Sequence, residues 1–119
     1  MNDKTIKELA VELTVETTAI CDNIKGRAVF VNQLLRSCSS IGANSHEAKY
    51  AQSRADFIHK LSIALKEADE SAYWLELLVE SETIDTVMFD SLYNDLKEVS
   101  SMLAASIKTA KANLAPQNT

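Results

Sequence analysis

Apolar residues recur along the chain at steps of three and four, the period of an amphipathic helix, in four stretches separated by brief polar punctuation. The first stretch predicts a helix over about residues 5–24. Thr5 with Glu8 three positions on has the spacing of a capping box, and Ile6, Leu9, Leu13, Thr17 and Ile20 form one apolar face. Gly26, close behind Asn23, suits the left-handed residue that follows a helix end. A second helix is expected over about 27–51, with Val31, Leu34, Leu35, Cys38, Ile41 and Ala48 along one side. Gly42 lies inside it. A mid-helix glycine costs about 1 kcal/mol relative to alanine, so Gly42 is read as marking the close approach of another backbone, with a local break as the alternative.

Ser53 with Asp56 offers a cap for a third helix over about 54–80, which runs without Gly or Pro. With Phe57 at heptad position a, the core-facing stripe comprises Phe57, Ala64 and Leu78 at a, Ile58, Leu65, Ala72 and Val79 at b, and Leu61, Ala68 and Leu75 at e. The fourth helix, about 86–113, follows the cap Asp85 and presents Phe89, Leu92, Leu96, Val99, Leu103, Ile107 and Ala110. Pro116 lies in the tail, 114–119. Four amphipathic helices with short connections hide their stripes only against one another, which predicts one all-α domain, an up-down-up-down antiparallel four-helix bundle.

Composition narrows the class further. With 2 Gly and 1 Pro in 119 residues, the turns of a β-sandwich are not supplied, and 46% apolar against 24% charged residues is the balance of a folded chain. No apolar run approaches the ~20 residues of a membrane span and the first residues lack the apolar stretch of a secretory signal, so no membrane association and a cytoplasmic location are expected. Cys21 and Cys38 on consecutive antiparallel helices would stand about 12 Å apart along the axis, too far for a disulfide, and are read as small buried apolar residues.

Beside the stripe of the third helix, position d holds Lys60, Glu67 and Trp74, and position g holds Asp56, Ile63, Glu70 and Leu77. Trp74, Ile63 and Leu77 are more apolar surface than a solvated helix needs. The favoured reading is a subunit interface; the alternative is that a splayed core covers them within one chain. The net charge of −5 hides a segregation: residues 25–66 carry seven Lys and Arg against two acids, and residues 67–98 carry one base against ten acids. Complementary patches on one subunit favour head-to-tail contacts that close into rings, unless the two blocks neutralise each other between adjacent helices.

Two segments resemble one family. Residues 33–44 (QLLRSCSSIGAN) with Glu47 and Ala48, and residues 56–68 (DFIHKLSIALKEA) with Glu70 and 73–78 (YWLELL), resemble the four-helix-bundle family of 23S ribosomal RNA intervening-sequence proteins over about residues 5–112. The resemblance implies a ring-like homopentamer. Arg36, Asn44, Glu47, Lys60, Glu67 and Glu70 match the polar positions of the family motif, and with Trp74 they are the candidate subunit interface or polar network. The family is also similar to the accessory variability protein of diversity-generating retroelements, a pentameric barrel that binds a reverse transcriptase and nucleic acid. That relative is strongly basic, whereas this chain is acidic overall, which disfavours long-range attraction to phosphate. Nucleic-acid binding would require Arg27, Arg36, Lys49, Arg54, Lys60 and Lys66 to share one exposed face.

No catalytic or cofactor chemistry stands out. A di-metal bundle needs paired Glu-x-x-His motifs, and the nearest approach is Asp56-x-x-His59 alone. His46-Glu47 has no second histidine at the spacing of a zinc protease, there is no Gly-rich phosphate loop, and Ser37, Ser39 and Ser40 have no evident His and acid partners. The expectation is a non-enzymatic, self-assembling scaffold or accessory factor without metal or cofactor, with nucleic-acid binding through residues 25–66 as the alternative.

Overall fold

The computed structural model describes residues 4–114. They form four helices, α1 (Ile6–Cys21), α2 (Ala28–Ala48), α3 (Arg54–Glu80) and α4 (Thr86–Leu114). Each helix packs on its neighbour in sequence and α1 closes on α4, giving an up-and-down bundle about 57 × 31 × 21 Å in extent. No helix among the described residues is long and apolar enough to cross a membrane.

Three of the four helix starts carry a side-chain cap. Thr5 Oγ1 accepts from the Glu8 N–H while Glu8 accepts from the Thr5 N–H, and Ser53 and Asp85 accept from the N–H groups of Asp56 and Met88. These bonds satisfy donors that the first helical turn leaves free. At α2 the cap position is Arg27, in the left-handed region at φ 56° with no side-chain cap bond, directly after Gly26 at φ 86°.

Two helices, α1 and α2, fall short of the ranges expected from periodicity. α1 stops at Cys21 rather than 24, because Asn23 and Ile24 turn back onto the carbonyls of Ile20 and Cys21. α2 starts at Ala28 rather than 27 and stops at Ala48 rather than 51. There Lys49, Tyr50 and Ala51 bond three residues back, tightening the last turn. α4 extends one residue past 113, and the remainder of the expected tail lies outside the described residues.

The core is formed by Ala10, Leu13, Leu34, Cys38, Ile41, Leu61, Ala64, Ala68, Leu75, Leu78, Leu92, Leu96, Val99 and Leu103 with their neighbours. On α3 the buried line is a with e from Leu61 onward, whereas Phe57 at a and Ile58, Leu65, Ala72 and Val79 at b are half-buried. α2 remains helical through Gly42. A Cβ built there would meet only the Ala10 methyl of α1, at 3.5 Å, so what approaches is a side chain at ordinary contact and not a backbone. Cys21 and Cys38 are both free thiols and buried.

Candidate functional site

The d and g residues of α3 face α2. Arg36, one turn after Gln33 on α2, reaches across the seam with its whole guanidinium. Nε donates to Gln33 Oε1 at 2.9 Å, Nη1 to Glu67 Oε1 at 3.2 Å, and Nη2 to Glu70 Oε2. Glu70 Oε2 also accepts from Trp74 Nε1 at 2.9 Å. Glu67, Glu70 and Trp74 stand three and four residues apart, so one face of α3 brings both carboxylates to one planar cation and the indole to Glu70. Trp74 stacks on Phe30 of α2 at 6.2 Å between ring centroids and meets Tyr73 edge-on at 5.1 Å.

Trp74 is therefore half-buried within one chain, between Phe30 and the network, while Tyr73 and Val29 beside it are 53% and 68% exposed. Further along the seam Lys60 pairs with Glu47 at 2.9 Å, and this hydrogen bond raises the Lys60 pKa. Asn44 joins neither cluster; its amide donates to the Ser40 carbonyl of its own helix. Beneath the network the buried Ser71 hydroxyl donates to Ser37 Oγ at 2.8 Å, a polar tie across the seam that sequence reasoning missed. Its signal was a serine at core position a.

The basic residues of 25–66 do not share one face. Arg27 lies at the α1–α2 turn, and Arg36 and Lys60 are engaged in the ion pairs above. Lys49 and Arg54 flank the α2–α3 turn at the opposite end, with Lys66 exposed further along α3.

A second feature absent from the sequence reading is a carboxylate pair across the α1–α4 seam. Ser91 Oγ donates to Glu16 Oε2 at 2.6 Å. Asp95, one turn on from Ser91, is pushed up to about 6 by burial, by a hydrogen bond with Glu16, and by the charges of Glu16, Glu98 and Glu12. The spacing of Glu12 with Glu16 and of Ser91 with Asp95, each four apart, was its only trace. Among the described residues no group of three or more His, Cys, Asp or Glu is arranged to hold a metal ion.

The family model described as 23S rRNA-intervening sequence protein matches residues 2–105. A crystal structure from Bacteroides thetaiotaomicron, described as a protein with unknown function from the S23 ribosomal protein family, superposes with a TM-score of 0.83 at 44% identity. The match covers 87% of this chain and 99% of that one. No curated protein matches the sequence.

Proposed function

Because the chain belongs to the 23S rRNA-intervening sequence protein family, we propose that it is a non-enzymatic, self-assembling bundle, a ring-like homopentamer acting in the cytoplasm as a scaffold or accessory factor. The observation that carries this reading is the α2–α3 face. The exposed Arg36 ties together the half-buried Glu67, Glu70 and Trp74 beside the exposed Tyr73, and aromatic residues beside an arginine are the composition of interface centres. A second copy would cover the open edge of Trp74 and take the remaining hydrogen-bonding capacity of the network.

Contacts between unlike faces of identical subunits close into a ring when the rotation permits. Light scattering coupled to size exclusion is expected to give a mass about five times that of the 13.1 kDa chain. Tyr73→Glu should lower that mass without unfolding the bundle, since the ring lies outside the core. A single-chain mass for the unmodified protein sinks the proposal.

A further inference from the structure

The end of the bundle built from the start of α1, the α2–α3 turn and the end of α4 gathers cations from every helix. Lys7, Lys49, Arg54, Lys108 and Lys111 are all exposed there, and among the described residues none of them has an ion-pair partner. The acids of this end are already engaged: Glu47 by Lys60, and Glu8 and Asp56 by backbone N–H donors. At the far end Asp22, Glu76, Glu80, Glu82, Asp85 and Asp90 outnumber Lys25 and Arg27. Charge is thus segregated along the 57 Å axis, but not by the blocks of the sequence, since Lys25 and Arg27 lie at the acidic end and Lys7, Lys108 and Lys111 at the basic one.

An aromatic platform stands in the basic end. Tyr50 is 70% exposed, the most open aromatic ring of the described residues, and is held edge-on by His46 at 5.5 Å. Tyr50 and His46 line a polar cleft of about 790 Å³ with Lys60 and two carboxylates, Glu47, which is paired with Lys60, and Asp56, which accepts from the Gln52 N–H. His46 is shared with a second cleft that carries Lys7 and Lys49 over Phe57 and Ser106, and these last two are shared with a third that reaches Arg54. The three clefts adjoin around the end of the bundle, and the unpaired Lys7, Lys49 and Arg54 line two of them.

We propose that this end binds single-stranded nucleic acid, with phosphates on Lys49, Arg54 and Lys7 and a base stacked on Tyr50. Cations spaced along a groove beside an open ring recognise a flexible strand, whose bases are free to stack, in preference to a duplex, whose bases are not. Glu47 and Asp56 beside Tyr50 repel phosphate, which leaves that cleft to the uncharged base and places the phosphates on the Lys7, Lys49 and Arg54 side. The site goes beyond self-assembly and does not require it. It also redraws the expected basic face, dropping Arg27, Arg36 and Lys66 and adding Lys7 and Tyr50.

Fluorescence anisotropy of the full chain with labelled oligouridine and oligodeoxythymidine of about 12 nucleotides tests it. With about three phosphate contacts, raising salt from ~50 to ~200 mM should weaken binding about 15- to 20-fold. Lys49→Glu with Arg54→Glu should abolish that salt-sensitive binding, and Tyr50→Ala should lower affinity about tenfold with recovery in Tyr50→Trp. Lys25→Glu with Arg27→Glu, at the acidic end, should leave it unchanged. RNA bound more tightly than DNA identifies a contact to the 2′-hydroxyl, and equal binding identifies phosphate and stacking alone. Salt-independent binding, duplex bound as tightly as single strands, poly-glutamate competing as well as RNA, or equal losses at both ends would overturn the proposal. Light scattering on the same samples separates these outcomes from any change in assembly.

Discussion

Asp95 is the residue whose protonation the fold most alters. Its carboxyl is raised from 3.8 to about 6, first by burial and then by Glu16, so the folded chain holds a proton that the unfolded chain releases. The folded state is favoured below the ordinary carboxylate value, and this contribution is lost as pH rises from about 4 through 6. Asp95→Asn should stabilise the fold near neutral pH, by about 1 kcal/mol after allowance for solvent screening, and change little near pH 4. Thermal melts of both proteins across that range check it; a gain of equal size at both ends would contradict the assignment.

The cysteines follow the same chemistry with a different outcome. Burial pushes Cys21 up to about 11 and also raises Cys38, whose sulfur lies 3.7 Å from the hydroxyls of Thr14 and Thr17. Neither thiol should react with a disulfide reagent at neutral pH until the chain unfolds, and reaction rates with and without denaturant measure this. That the cysteines are buried was legible from their places on apolar faces. The Asp95 pair was not, because residues 79 apart in sequence meet only once α1 closes on α4.

At the scale of elements, periodicity and capping residues located the four helices and the bounds of α3, and it was the ends of α1 and α2 that escaped. Their last turns close through backbone bonds three residues back, which no residue type marks. Glu82 at φ 60° ends α3 in a left-handed conformation, and Arg27 opens α2 in another. Glycine relieves that strain, so Arg27→Gly and Glu82→Gly should each stabilise the bundle by up to ~1 kcal/mol in denaturant melts. The two natural glycines separate in the same experiment. Gly42 has helical geometry and a neighbour at ordinary contact, so Gly42→Ala should stabilise by about 1 kcal/mol through helix propensity. Gly26 has open space around it but φ 86°, so Gly26→Ala should destabilise by about 1 kcal/mol. Opposite signs are the expected result, and a loss of stability at Gly42 would show that the α1–α2 seam cannot accommodate a methyl group.

At the scale of the whole molecule, six of the seven candidate interface residues lie along one seam, but in two clusters of different worth. The sequence placed Lys60, Glu67 and Trp74 on a common face of α3 by spacing alone; how far each is covered depends on α2, which spacing does not report. Glu47 keeps a 55% exposed side chain in its pair with Lys60, and exposed pairs contribute about 0–1 kcal/mol. Glu67 is only 17% exposed and Arg36 holds both carboxylates, so removing the guanidinium leaves two like charges beside Trp74. Arg36→Ala should therefore lower stability by about 1–2 kcal/mol, Glu67→Ala by somewhat less, and Lys60→Ala by about 0.5 kcal/mol or less. Assembly gives the same variants a second readout. If the network also meets a neighbouring subunit, Arg36→Ala lowers the scattering mass at temperatures where circular dichroism still shows a folded bundle, whereas Lys60→Ala leaves that mass unchanged. Lost stability with an unchanged mass in Arg36→Ala would confine the network to the interior of one subunit and move the search for the ring contact to another face.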